Sequence, residues 1–104
     1  MPYVSSFGNF LVLKNVPEDL SAQIKYPPLV KDKEGYYVGD LRNFTQEEEV
    51  KLIELLHNIG FAFSAGKEWC PSEVFEEYRE RGLLAGTYKM IAWTGPGEWY
   101  IVER

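Results

Sequence analysis

One cysteine and one histidine stand among the 104 residues. A single thiol excludes an internal disulfide, so the fold has to rest on packing. One thiol and one imidazole cannot assemble the usual zinc ligand set within one chain. No stretch approaches the ~18–20 consecutive apolar residues of a membrane helix. Met1-Pro2-Tyr3-Val4 reads as the start of a strand, not as a basic region leading into an apolar secretory core. Motifs are scarce as well: no dinucleotide-binding glycine pattern, Walker loop, Gly-x-Ser-x-Gly, His-Glu-x-x-His or EF-hand spacing occurs, and no cofactor is implied. Basic charge is also in deficit, with eleven Lys and Arg against sixteen Asp and Glu and a net charge of -5. That balance repels a polyphosphate at long range, and the cations are scattered, so direct nucleic-acid binding is not expected. An unpaired thiol suits a reducing compartment. The expectation is a soluble cytoplasmic protein away from membranes.

What is present is the composition of a folded globule. The hydrophobic fraction is 45% and the aromatic fraction 15%, which argues against disorder. A chain of this length buries roughly 60–70% of its unfolded surface, enough for one core. With no break in composition, no repeat and no low-complexity tract, residues 1–104 read as a single domain.

Three hairpins and two helices emerge along the chain. Tyr3 to Phe7 and Phe10 to Lys14 are β-prone runs around Gly8-Asn9, a pair that tolerates the positive φ of a tight turn, and this register sets Phe7 against Phe10. Pro17-Glu18-Asp19 has the chemistry of a helix start, so a short helical segment is predicted over Pro17 to Gln23, ended by Tyr26-Pro27-Pro28. Leu29 to Lys31 and Tyr36 to Val38 flank Asp32-Lys33-Glu34-Gly35, a turn closed by a left-handed glycine. Thr45 and Glu48 form a capping box at the head of a helix that ends near Ile59, with Gly60 as its stop. Its apolar stripe is Leu52, Ile53, Leu55, Leu56 and Ile59. Phe61 to Ser64 reads as a short strand and Ala65-Gly66-Lys67 as a turn. A second helix follows from Pro71 to Arg81, its narrow stripe made of Val74, Phe75 and Tyr78. In the last hairpin a five-residue loop pairs Trp93 with Trp99 and Lys89 with Glu103. These elements define an α+β domain: an antiparallel sheet of about five or six strands with two main α-helices packed on one face.

Two groups of residues could carry function. Cys70 precedes Pro71 at the start of the second helix, where a helix dipole favours a thiolate, and it stands next to Trp69. The sole candidate base, His57, lies on the other helix, and a free cysteine is also an ordinary small buried hydrophobe. Asp40 after Gly39 fits either a catalytic acid or turn chemistry. No catalytic residues and no metal ligands stand out. The aromatics are the stronger signal: seven Tyr, six Phe and three Trp exceed the ordinary needs of such a core. In a strand, the doublets Tyr36-Tyr37 and Trp99-Tyr100 must send one ring to each side of the sheet.

Three readings follow. The first is a small acidic interaction or regulatory protein, without catalysis, that binds a protein partner through exposed aromatics: Tyr36, Tyr37, Trp93, Trp99 and Tyr100. Homodimerisation through the same surface is a variant. The second is a small-ligand binder or thiol enzyme using Trp69 and Cys70. The third is an inhibitor whose rows of carboxylates (Glu47, Glu48, Glu49 and Glu73, Glu76, Glu77, Glu80) mimic nucleic acid.

Overall fold

The N-terminal alternation folds as strand β1 (Tyr3–Phe7) antiparallel to β2 (Phe10–Lys14), with Phe7 opposite Phe10 as the sequence register requires. The structure is a computed structural model, and it describes residues 2–7, 9–22, 24, 29–31, 33–65 and 71–104. The expectations placed on Gly8, Tyr26-Pro27-Pro28, Asp32, Gly66-Lys67, Trp69 and Cys70 lie outside the described residues. A short helix α1 (Glu18–Ser21) follows. Strands β3 (Leu29–Lys31) and β4 (Tyr37–Asp40) pair antiparallel, and Gly35 takes φ 87°, the left-handed conformation the turn requires.

Helix α2 (Gln46–Asn58) begins at a complete capping box. The Thr45 amide donates to Glu48 Oε1 at 2.9 Å, and the Glu48 amide donates to Thr45 Oγ1 at 3.1 Å. Strand β5 (Ala62–Ser64) leads to helix α3 (Pro71–Glu80), and strands β6 (Lys89–Gly95) and β7 (Glu98–Glu103) close the chain. Trp93 opposes Trp99 and Lys89 opposes Glu103 as predicted, but the expected five-residue loop is corrected: Gly95 also pairs with Glu98, so the turn is Pro96-Gly97, and an irregularity between Trp93 and Gly95 absorbs the extra residue.

Among the described residues the sheet has seven strands in the order β3-β4-β2-β1-β5-β6-β7. The expectation of a purely antiparallel sheet of five or six strands is corrected to a mixed one. β5 lies between β1 and β6 and is parallel to both. The cause is topological: α2 precedes β5 and α3 follows it, and a strand that returns over a helix re-enters the sheet in the same direction. Ala62, Phe63 and Ser64 are all buried, as a central parallel strand should be. Among the described residues the α-helices number three, the third being the one-turn α1. No helix among the described residues is long and apolar enough to cross a membrane.

One face of the sheet carries the core. Val4 is opposite Leu13 and Ser6 opposite Leu11, and Val4 is level with Phe63. Val4, Leu11, Leu13 and Phe63 pack with Leu52, Ile53 and Leu56 of α2 and with Val74, Phe75 and Tyr78 of α3, while Leu20 of α1 joins at the margin. At its centre the Phe75 ring lies 4.5 Å from that of Tyr88 and 5.4 Å from that of Phe63. The Tyr88 hydroxyl donates to Glu76 Oε1 at 2.7 Å, so this buried polar tip is satisfied from α3. All three helices therefore share one side, as the sequence predicted for the two longer ones.

Candidate binding face

Strand register settles which residues occupy the other side. Starting from Val12 opposite both Ser5 and Val38, the period of two places Phe10, Val12 and Lys14 of β2 there, with Tyr3 of β1 and Val30 of β3. Ser64, Ile91, Trp93 and Trp99 continue this face toward β7. Among the described residues no helix lies over it.

The face divides into two parts. Over β5 and β6 it is roofed by its own rings. The Trp93 indole N–H donates to Ser64 Oγ at 2.9 Å, and the ring meets Tyr3 edge-on at 6.1 Å. A small hollow of about 160 Å³ remains between Tyr3, Asn15, Ile91, Trp93 and Trp99. Ser64 and Ile91 are buried, yet Trp93 and Trp99 keep 44% and 47% of their surface exposed. Over β1, β2, β4 and β3 the face is an open concavity of about 850 Å³, walled chiefly by Phe10, Val12, Val30 and Val38. Lys14 lies on its wall, with Nζ 5.9 Å from the centre of the Tyr3 ring and 5.7 Å from that of Tyr36.

The residues singled out from the sequence separate accordingly. Trp93 and Trp99 are neighbours on the helix-free face. Tyr100, more than half exposed, projects to the opposite side of edge strand β7. Tyr36 borders the concavity, whereas Tyr37 turns to the helix side and packs half-buried against the core. The two tyrosines thus do point apart, and only Tyr36 belongs to the candidate face. Trp69 and Cys70 lie outside the described residues, so the pairing of Cys70 with His57 does too. His57 is half-buried with its ring 5.1 Å from that of Phe75, the place of a boundary residue on α2. Lys14, Val12 and Val38 were not singled out from the sequence. The period of two within each hairpin does not align them, because residues 12 and 14 come to share a face with 36 and 38 only once β2 pairs with β4.

Asp40 does turn chemistry. It caps a 3-10 turn (Leu41–Asn43) and holds Arg42 through two contacts of 3.0 and 2.8 Å, and the Arg42 guanidinium keeps its carboxyl below the usual range. Three carboxylates at the start of α2 are likewise committed to the fold. Glu47 pairs with Lys51 at 3.0 Å, and Glu48 completes the capping box. Glu49 is half-buried against α3 and accepts from the Tyr78 hydroxyl.

Burial, with Glu77 nearby, pushes the Glu49 carboxyl above its ordinary value despite that hydrogen bond. Burial and the Glu49 charge in turn push Tyr78 up to about 12. For an acid with a raised folded value, the stabilisation is present while the group is protonated and is lost as pH rises through that value. Glu49→Gln removes the buried charge and keeps an acceptor for Tyr78. The variant is expected to melt higher than the parent at about pH 7 and to lose that advantage below about pH 4, where Glu49 is protonated in both states. Thermal melts at the two pH values check this.

Among the described residues no cluster of three or more His, Cys, Asp or Glu side chains is arranged to hold a metal ion. The arrangement defines a small α+β protein with a mixed seven-stranded sheet, helices on one face and an apolar, ring-bearing opposite face. Comparison with family models, curated proteins and solved structures finds no match to the chain.

Proposed function

We propose that this protein is a non-catalytic interaction module that binds a protein partner at the β6–β7 end of the sheet, through Trp93, Trp99 and Tyr100. The observation that carries the reading is the display of three large rings, each 44–54% exposed, on one hairpin. Trp and Tyr are the usual anchors of protein interfaces because they bury much area at little entropic cost. Trp93 is already fixed by its bond to Ser64, which lowers that cost further. Strand β7 adds an edge whose backbone groups are open to a further strand, with Glu98 and Glu103 at its two ends. A partner that lays an extended segment along β7, with basic residues facing those carboxylates, fits this edge. We read the protein as a regulator in a reducing cytoplasm, a reading that rests on the single cysteine of the sequence. A second copy paired antiparallel along β7 about its middle would set Glu98 against Glu103, a repulsive match that disfavours homodimerisation there. Acidic mimicry has less support, since Glu47, Glu48 and Glu49 are engaged within the fold.

The test compares the parent chain with Trp99→Ala and Tyr100→Ala, both at exposed positions, as baits in extracts of the source cell, followed by affinity measurement with the captured protein. Each variant is expected to keep the parent melting temperature and to weaken binding by about 2 kcal/mol, roughly 30-fold. Equal capture by parent and variants would remove the hairpin from the interface.

A further inference from the structure

The concavity at the other end of the helix-free face has a different chemistry. Its floor is aliphatic, with Val12 and Val38 opposite one another and Val30 completing the row across three strands. Val30 is 68% exposed and Phe10 38%, so apolar area remains in water that any fitting hydrocarbon would cover. Its volume of about 850 Å³ falls within the roughly 300–1,000 Å³ of clefts that hold small molecules.

One charge on this wall has no counter-charge among the described residues. Lys14 is half-buried between the Tyr3 and Tyr36 rings, and no oxygen of the described residues accepts from its ammonium or pairs with it. The ring faces attract the cation but supply no hydrogen-bond acceptor for its three N–H groups. The other charges on the wall differ: Asp40 is neutralised by Arg42, and Glu34 stands on the exposed β3–β4 turn with a partner of its own. An apolar floor ending at an ammonium that no carboxylate of the described residues pairs is complementary to one chemical type, a hydrocarbon body with a single anionic head.

We propose that this concavity binds a small amphipathic monocarboxylate, its carboxylate on Lys14 and its hydrocarbon along Val12, Val30 and Val38. This goes beyond the partner-binding reading, which concerns the ring-bearing hairpin at the far end of the sheet. No bond is made or broken; the site holds or carries its ligand.

Isothermal titration with decanoate, decan-1-ol and decyltrimethylammonium tests it. One decanoate per chain is expected, with the neutral alcohol weaker by roughly tenfold and the cation weaker still, since a charge-assisted hydrogen bond is at stake. Lys14→Met should bring decanoate down to the affinity of the alcohol. Val30→Glu, at an exposed position on an edge strand, should also weaken decanoate, and it serves if the Lys14 variant fails to fold. Trp99→Ala should leave decanoate binding unchanged. The proposal is overturned by no saturable uptake of decanoate, by equal affinity for all three ligands, or by an unaltered affinity in folded Lys14→Met. Loss of decanoate binding in Trp99→Ala would move the ligand to the ring cluster and overturn the assignment to Lys14, while leaving the partner-binding reading to its own test.

Discussion

Replacing Phe75 by Ala is expected to cost about 3–5 kcal/mol of folding stability, the range for removing a fully buried ring. The ring is 0% exposed and lies within 4.5–5.4 Å, centre to centre, of Tyr88, His57 and Phe63. It joins α3, α2, β5 and the segment that leads into β6, so a cavity there is walled from four sides and has little freedom to collapse. Against a typical total of about 5–15 kcal/mol, such a loss leaves the protein marginal at physiological temperature. Urea unfolding should show a lower midpoint with an unchanged slope, the sign of altered stability without altered compactness. Phe75→Leu should lose much less, because most of the volume is retained. A cost below about 1 kcal/mol for the alanine variant would mean that α3 does not dock on β5 as described.

Gly39→Val sets two physical effects against each other. Valine is a favoured strand residue and glycine a poor one, so propensity alone forecasts stabilisation. The structure forecasts the reverse. Gly39 lies in β4 on the helix side, opposite Leu11 and Leu29, and the Phe44 ring folds over it after the 3-10 turn. A Cβ at this position would stand 2.9 Å from Leu29 Cδ2 and 3.0 Å from two carbons of the Phe44 ring. The leucine methyl can move aside, but the ring packs against the core and cannot turn without opening it. A net loss of about 1–3 kcal/mol is expected, the usual cost of overpacking. Thermal melts give the sign, and faster amide exchange confined to β3 and β4 locates the damage. A neutral or stabilised variant would show that Phe44 does not close over β4.

Much of this architecture was legible before any coordinates. The Thr45–Glu48 capping box, the stop at Gly60, the Phe7–Phe10 register and the pairing of Trp93 with Trp99 all depend on residues a few positions apart. Local chemistry decides them, so local reading recovers them. The parallel placement of β5 was not legible. Its three residues alternate no differently from an edge strand, and only the crossings of α2 and α3 insert it between β1 and β6. The candidate site was legible in part. Surplus aromatics point to the β6–β7 hairpin, whereas the half-buried place of Tyr37 against the core and the two rings beside Lys14 are visible only in the fold. A lysine in a strand gives no local sign of whether a carboxylate will stand beside it.

Composition and short-range pattern determined that this chain is acidic, folds without disulfides, and builds hairpins and two amphipathic helices of known extent. The tertiary structure alone decided that α1 joins the two longer helices on their side, that the rings divide between core, roof and rim, and that Lys14 shares a face with the valines of β2, β3 and β4. The physical reason is range. Caps, turns and hairpin registers are set by contacts within about four residues. The sharing of a sheet face by Lys14, Val30 and Tyr36 is set by which strands become neighbours, and that depends on burying every apolar stripe of the chain in one core at once.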